Sequence, residues 1–246
     1  MKKLIIAFMF AALPGLSLAS SGGVHLDHAN VDVSDKASLQ RGAKLFVNYC
    51  LSCHSAAFQR YNRMGQDLGL TDEQVEANLM FATEKVGDTM TIAMPAADAK
   101  AWFGNPPPDL SVIARARGAD SLYTYLRSFY VDEKKPMGIN NTVFPDVGMP
   151  HVLWELQGLQ KPVYKTEVDH EGHETQVISG FELVTKGTMS PAEYDQAALD
   201  LTNFLVYIGE PAQLQRKSLG IWVLLFLGIL FVVSYALKKE YWKDVH

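Results

Sequence analysis

Cysteine occurs only twice in this chain of 246 residues, and both cysteines lie in one short motif, Cys50-Leu51-Ser52-Cys53-His54. This C-x-x-C-H spacing is typical of c-type haem attachment. Two thiols on one helical turn can form thioethers with both vinyl groups of a haem, and the adjacent histidine is then placed as an axial iron ligand. The motif therefore predicts one haem c, bound covalently through Cys50 and Cys53 and ligated by His54.

Two other chemistries use a pair of cysteines at this spacing. A redox dithiol uses C-x-x-C, and a structural zinc site can use the pair as half of its ligand set. Neither explains the histidine that follows directly. A zinc site would need further ligands from distant residues, and a redox dithiol normally follows a strand, whereas the residues before Cys50 have a helical pattern. Haem attachment is therefore the preferred interpretation.

A six-coordinate haem iron needs a second axial ligand, and a methionine thioether raises the reduction potential relative to a second histidine. Two methionines precede a proline, in Met94-Pro95 and Met149-Pro150. The fixed φ angle of proline would stiffen the loop that presents each sulfur. Spacing alone does not choose between Met94 and Met149.

The haem motif follows a predicted helix. Asp35 is a plausible N-cap for this helix, and apolar residues at Leu45, Phe46 and Tyr49 lie within its later turns. The helix would therefore deliver the cysteine pair from a packed element of the fold.

A second helical pattern runs through residues 191–210, before the C-terminal end of the chain. The haem motif resembles that of c-type cytochromes, in which a C-terminal helix usually crosses the N-terminal one, and this resemblance implies a crossing near Gly42 and Phe46. Gly42 would permit close approach, and Phe204 or Tyr207 could fill the contact. The predicted fold is therefore mainly α, a cytochrome c-like haem domain with long loops.

One segment departs from the helical pattern. Residues 162–186 alternate polar and apolar side chains around Gly172, which predicts a small β-hairpin. Its expected tip, residues 170–174, carries two histidines and two glutamates. These are possible metal ligands, but no further ligand is apparent, so a solvated turn is the preferred interpretation.

The first 19 residues predict a cleaved signal peptide. They run from Lys2 and Lys3 through an apolar stretch to Ser17 and Ala19, small residues that suit cleavage after Ala19. The haem domain would therefore be exported. Removing two lysines and no acids changes the formal charge from −5 to −7, and an acidic exported surface argues against a nucleic-acid partner.

Near the C-terminus, residues 219–237 contain no charge. At about 1.5 Å per residue they span roughly 28 Å of a ~30 Å hydrocarbon core. Basic residues flank the stretch on both sides, which predicts a transmembrane helix over residues 216–239, in contact with membrane lipid. The export signal then places residues 20–215 in the periplasm as one haem domain, and 240–246 in a short cytoplasmic tail. The expected location is the bacterial inner membrane, crossed once.

Several motifs occur together in one order along the chain. They are RGAKLFVNYCLSCHS (41–55), NPPPDLS (105–111), ARAR (114–117), GMP (148–150) and the C-terminal anchor, with 95 positions separating His54 from Met149. In this combination the sequence resembles the cytochrome c1 family, the haem subunits of bacterial cytochrome bc1 complexes. The resemblance spans nearly the whole exported chain.

The resemblance implies roles for individual residues. It implies that Met149 is the sixth iron ligand, with Met94 as the alternative, and that Arg117 pairs with a haem propionate while Tyr123 lies nearby. A guanidinium can make a bidentate, charge-assisted contact with a carboxylate. From the sequence alone Arg115 could make the same contact, so the preference for Arg117 depends on the family.

The proline run between residues 106 and 108 cannot continue a helix and favours extended backbone. Placed beside the haem, as the resemblance implies, Pro107 would belong to a rigid wall that limits access of water. Asn105 is expected either to hydrogen-bond a haem edge or to cap a turn.

The resemblance also implies a function. The haem would accept one electron from a Rieske iron-sulfur protein and pass it to a cytochrome c, with cytochrome b as the membrane partner. The chain would thus be an oxidoreductase subunit of the respiratory chain without a substrate site of its own. Two alternatives stay open, a haem subunit of another membrane electron-transfer complex and a haem sensor with an open iron position.

Overall fold

The structure, a computed structural model, describes residues 24–168 and 174–244, so the expected signal peptide lies outside the described residues. Within these ranges the chain is mainly helical, and its strands form three antiparallel pairs, each of two strands consecutive along the chain. The predicted mainly α fold is confirmed. The helices are α1 (Lys36–Leu45), a π-helical turn (Phe46–Cys50), α2 (Tyr61–Leu68), α3 (Asp72–Leu79), α4 (Ala96–Phe103), α5 (Ile113–Arg117), α6 (Ala119–Arg127), α7 (Trp154–Gln157), α8 (Pro191–Gly209) and α9 (Gln213–Tyr241). The strands are β1 (Ala56–Arg60), β2 (Thr89–Met90), β3 (Phe129–Val131), β4 (Ile139–Asn141), β5 (Gly158–Val168) and β6 (Glu174–Lys186).

The helix before the haem motif begins where its cap predicts. The Asp35 carboxylate accepts a hydrogen bond from the Ser38 amide over 3.0 Å and satisfies one free N–H of the first turn. The helix does not end as a regular α-helix, because its last turn widens: the Leu51 amide donates to the Phe46 carbonyl, five residues back, over 2.9 Å. Single π-turns of this kind are common beside functional sites, and this one delivers Cys50.

The crossing of α1 and α8 matches the prediction. A Cβ atom built on Gly42 would lie 2.1 Å from the carbonyl oxygen of Asp200, so only glycine permits this approach. The rings of Phe46 and Phe204 meet beside it at 5.5 Å between centroids, and both side chains are fully buried. Tyr207 has a different role, since its hydroxyl donates to the Asp67 carboxylate over 2.8 Å.

A buried carboxylate fixes the same crossing. Asp200 is 3% exposed, and it accepts hydrogen bonds from Ser38 Oγ over 2.7 Å and from Gln196 over 2.9 Å. The Arg41 guanidinium donates to it through two nitrogens. A buried charge with all these donors is costly to leave unpaired, so the network sets the register of the two helices.

The β-hairpin is longer than predicted. Its strands have 11 and 13 residues, and the pairing runs from Gly158 opposite Lys186 to Val168 opposite Glu174. It begins four residues before the predicted start, at Gly158. This residue has φ 91°, and a Cβ there would lie 2.2 Å from the Thr185 carbonyl oxygen, so the close approach of the two strands at this point requires glycine. The start is thus set by backbone approach, which the alternation of side chains does not reveal. Of the expected tip at residues 170–174, residues 170–173 lie outside the described residues.

Helix α9 carries the apolar C-terminal stretch. It has 29 residues and a mean hydropathy of 2.5 in its most apolar window, and none of its residues is buried. It is the one helix in the described part of the chain that is long and apolar enough to cross a membrane. The helix extends three residues before and two residues after the predicted span of 216–239, and it fits a single-pass membrane anchor.

Candidate haem site

The haem motif forms one tight turn. After the π-helical turn, the amides of Cys53 and His54 both donate to the Cys50 carbonyl, over 3.0 and 2.8 Å. This bond pattern folds the two thiols and the histidine into a single turn. This arrangement is consistent with the C-x-x-C-H motif of c-type haem attachment.

The imidazole of His54 is buried and oriented. Its Nδ1 lies 2.8 Å from the Pro108 carbonyl oxygen, which can only accept, so Nδ1 carries the proton and Nε2 keeps its lone pair. Burial lowers the pKa of His54 despite the opposing effect of this bond. The imidazole is thus neutral with Nε2 available, the state in which histidine binds a metal.

The two thiols suit haem attachment better than dithiol redox chemistry. Both are free, with Cys50 buried and Cys53 partly exposed. Burial, together with the proximity of Cys53, raises the pKa of Cys50 to about 12. A redox dithiol needs a thiolate of lowered pKa, and Cys50 is the opposite. Two free thiols beside an oriented imidazole fit a covalently held haem.

The proline run is bonded along the haem motif. The Leu110 amide donates to the Ser55 carbonyl over 2.7 Å, and the Asp109 carboxylate accepts from the Ala57 amide over 2.9 Å. These bonds hold Pro108 against His54. The proline run predicts a wall, but its sequence does not reveal that the Pro108 carbonyl is the partner of the histidine. Only the pairing of segments 54 positions apart reveals that role.

Pro107, assigned to the wall, and Asn105, expected to hydrogen-bond a haem edge or cap a turn, differ in exposure. Pro107 is partly buried, whereas Asn105 is exposed at the start of the loop that follows α4. Their contact with haem stays a prediction.

The two candidate arginines have different surroundings. Arg115 donates to the Glu210 carboxylate over 2.7 Å, next to a second ion pair from Arg216. Arg117 is exposed at the end of α5 and makes no ion pair with any residue in the described ranges. Among the described residues Arg117 thus has no ion-pair partner, and its pairing with a propionate stays a prediction.

Tyr123 lies on the next helix, α6. Its ring faces the guanidinium of Arg127 at 4.6 Å, and Arg127 is also paired with Asp27 and with Asp195. The ring thus belongs to a charged cluster that ties the N-terminal segment to α6 and α8. A contact of Tyr123 with haem is not among these interactions and stays a prediction.

The two candidate methionines lie in separately held loops. The Met94 loop is tied to the haem motif, because the Ile92 amide donates to Ser55 Oγ over 3.1 Å. Met149 is partly buried, and the hydroxyl of Tyr125 donates to its sulfur over 3.3 Å. The choice of Met149 over Met94 as iron ligand stays a prediction.

Sequence reasoning missed the side chains around Met149. His151 is buried, stacks on Phe129 at 4.9 Å, and has an Nε2 atom without a hydrogen-bond partner among the described residues. Burial lowers the pKa of His151 to about 4, so this ring is neutral. His151, a single histidine after a proline, belongs to no recognisable motif. Tyr125 in α6 cannot be told from an ordinary core residue by its place in the sequence.

A large cavity lies elsewhere, between the hairpin and α6. It measures about 1380 Å³, and its lining includes Arg127, Gln160, Phe181 and Asp195. None of the predicted haem residues lines it. The cavity is therefore separate from the candidate haem site.

Comparison with known proteins identifies the family. The sequence model described as Cytochrome C1 family matches residues 28–245. The chain is similar to the cytochrome c1 of Allochromatium vinosum, at 53% identity over 100% of both chains. It is 49% identical to a Nitrosomonas europaea protein called ammonia monooxygenase gamma subunit, over 100% of this chain and 98% of that one. It is 29% identical to the cytochrome c1 of Rhodospirillum rubrum, over 99% and 97% of the two chains.

The family model covers every motif on which the resemblance rested, from the cysteine pair through the proline run to the C-terminal anchor. The expectation of a haem protein of electron transport with a membrane-anchoring helix is confirmed. As its motifs predicted, the chain belongs to the cytochrome c1 family.

Proposed function

We propose that this chain is the haem-bearing subunit of a quinol–cytochrome c oxidoreductase, the cytochrome bc1 complex. In this role it receives one electron from a Rieske iron-sulfur protein and passes it to a cytochrome c, while cytochrome b is its partner in the membrane. The observation that carries the proposal is the His54 imidazole, buried, neutral and oriented by Pro108 beside two free thiols.

The side chains of the motif bind and orient one haem c. Cys50 and Cys53 hold it by thioether bonds, and His54 presents Nε2 to the iron from a ring that Pro108 prevents from rotating. The bound haem supplies one-electron chemistry by cycling between ferric and ferrous iron. Met149 would hold the iron together with His54 and would leave no position for a substrate.

The remaining predicted residues set the surroundings of the cofactor. Arg117 compensates the charge of a propionate, and Tyr123 lies near it. Pro107 would belong to a rigid wall that limits access of water to the haem, and Asn105 would hydrogen-bond a haem edge or cap a turn. The chain contributes positioning, potential and access, and quinol oxidation takes place on other subunits.

The arrangement across the membrane follows from two ends of the sequence. Residues 1–19 direct export, and residues 20–215 form the haem domain in the periplasm. Helix α9 anchors the domain in the inner membrane, with Lys238 and Lys239 in its last turn on the cytoplasmic side.

One relative gives a second candidate function. The Nitrosomonas europaea protein is named after ammonia monooxygenase, yet it matches this chain over its full length. A haem domain on a single anchor could serve another membrane oxidation complex in the same way. Purification of the chain from its native membranes separates the two candidates: co-purification of a cytochrome b and a Rieske protein supports the first, and their absence from a haem-loaded preparation contradicts it.

Optical spectroscopy of the detergent-solubilised protein tests the haem site itself. We expect haem to remain on the chain after acid extraction, and the ferric protein to show the sulfur-to-iron charge-transfer band of a methionine ligand. Haem without this band in the wild-type protein would instead support an open-site sensor.

Two matched variants identify the ligand. Met149→Leu should abolish the band while haem stays attached through Cys50 and Cys53, because the thioether is lost and the thiols are not. Met94→Leu is the control and should retain the band. The reverse pattern would assign the iron to Met94.

A further inference from the structure

The hydroxyl of Tyr125 makes a contact that haem ligation alone does not explain. It lies 3.3 Å from Met149 Sδ. A thioether has no hydrogen to donate, so the tyrosine is the donor and the sulfur accepts. In the described ranges this is the only hydrogen bond that the hydroxyl makes. The hydroxyl is therefore committed to the sulfur.

Tyr125 is held rigidly on the donor side. Its ring packs edge-on against the ring of Phe129, with centroids 5.0 Å apart and an interplanar angle of 70°. Its carbonyl accepts a hydrogen bond from the side-chain amide of Asn141 over 2.8 Å. Asn141 is fully buried, so this bond is shielded from water.

The same asparagine orders the acceptor side. Its side-chain oxygen accepts from the amides of Val143 and Phe144, over 2.9 and 3.2 Å, at the start of the loop that leads to Met149. One buried amide thus joins helix α6 to this loop. Because donor and acceptor are both positioned by other contacts, the bond between Tyr125 and Met149 is built into the fold.

We infer that Tyr125 is a positioning residue for the Met149 sulfur, and that its hydrogen bond raises the reduction potential of the haem. This inference rests on the proposed function, in which Met149 is the sixth ligand. A thioether sulfur has two lone pairs, so it can bind iron with one and accept from Tyr125 with the other. The hydrogen bond draws electron density from the sulfur, which weakens the ligand more for ferric than for ferrous iron.

Tyr125→Phe tests the inference, because it removes the hydroxyl and keeps the ring against Phe129. We expect the haem to stay covalently bound and the charge-transfer band to persist at a shifted wavelength. At a fixed ambient potential the ratio of ferrous to ferric protein should fall about threefold, equivalent to a potential lower by about 28 mV at 59 mV per tenfold.

Tyr194→Phe is the matched control. The hydroxyl of Tyr194 donates to the carbonyl of Leu126, next to Tyr125 on the same helix, over 2.8 Å. Its loss removes a buried hydrogen bond from α6 without touching Met149. We therefore expect a lower melting temperature with an unchanged band and an unchanged potential.

The outcomes separate the inference from the proposed function. If the band depends on Met149 but Tyr125→Phe matches the wild-type band and potential, the inference alone is wrong. An equal shift in Tyr194→Phe would also overturn it, since general loosening of α6 would then be the cause. If the wild-type protein lacks the band, or Met94→Leu removes it, the assignment of Met149 fails and the inference with it.

Discussion

At the scale of single residues, the state of each side chain in the site is set by its hydrogen-bond partner and its burial. His54 needs one ring nitrogen fixed and the other free, and the Pro108 carbonyl satisfies this because it can only accept. Burial of Cys50, with Cys53 nearby, raises the pKa of its thiol to about 12. Each property follows from the immediate surroundings of one group.

The two arginines of the ARAR segment allow a matched test at this scale. Arg117→Leu should lower the reduction potential of the haem. Ferric haem carries one more positive charge than ferrous haem, so removing a nearby cation costs the ferric form less electrostatic stabilisation than the ferrous form. Arg115→Leu should leave the potential unchanged, since its guanidinium pairs with Glu210. Redox titration of both variants measures the difference. A wild-type potential in Arg117→Leu would mean that Arg117 is a solvated surface residue that does not pair with a propionate.

At this scale, only the roles of residues that lie close together in the sequence could be predicted. The roles proposed for Cys50, Cys53 and His54 follow from a five-residue motif. The Pro108 carbonyl and the Tyr125 hydroxyl lie 54 and 24 positions from their partners, and these bonds need the folded chain. No sequence pattern distinguishes this carbonyl from the other backbone carbonyls, or this hydroxyl from those of the other tyrosines.

At the scale of elements, the crossing of α1 and α8 positions the cysteine pair. The missing side chain of Gly42 lets the helices approach, and Phe46 and Phe204 fill the space beside it. The π-helical turn begins at Phe46, so the same residue packs the crossing and begins the turn that leads to Cys50. A change at the crossing should therefore also alter the position of Cys50 and the haem site.

Gly42→Ala tests this crossing. The new Cβ would lie 2.1 Å from the carbonyl oxygen of Asp200, a backbone atom that cannot move alone. Overpacking of this kind typically costs about 1–3 kcal/mol, against at most ~1 kcal/mol gained in helix propensity. We expect a lower free energy of unfolding, measured by denaturant titration followed through the haem absorbance.

Gly180→Ala is the control for that experiment. A Cβ on Gly180, in β6, would meet no atom within 4 Å. Its free energy of unfolding should stay close to that of the wild type. Equal stability of the two variants would mean that α1 and α8 separate without cost.

The elements differed in how well their patterns predicted them. The crossing was predictable because helical periodicity and a glycine together mark a close contact. The hairpin was underestimated, since its first residue, Gly158, is set by a positive φ angle and by the Thr185 carbonyl. The strands β1 to β4 have 5, 2, 3 and 3 residues, too few for an alternation to stand out.

At the scale of the whole molecule, the chain consists of a haem-binding head and an apolar helix. The described core lies entirely before α9, in which no residue is buried. Glu210, between α8 and α9, pairs with both Arg115 and Arg216 and so links the end of the head to the first turn of the anchor. The head should therefore fold without the apolar stretch that follows Arg216.

Truncation after Lys217 tests this division, and it keeps the Glu210–Arg216 pair while removing the 19 uncharged residues 219–237. With the signal peptide retained, the truncated protein should be recovered in the soluble periplasmic fraction with its haem spectrum unchanged, because about 28 Å of apolar helix is what holds it in the membrane. Truncation after Trp242 removes only polar tail residues and one valine, and it should leave the protein in the membrane fraction. A shortened protein that still sediments with membranes would show a second attachment, and one that has lost its haem would show that α9 stabilises the head.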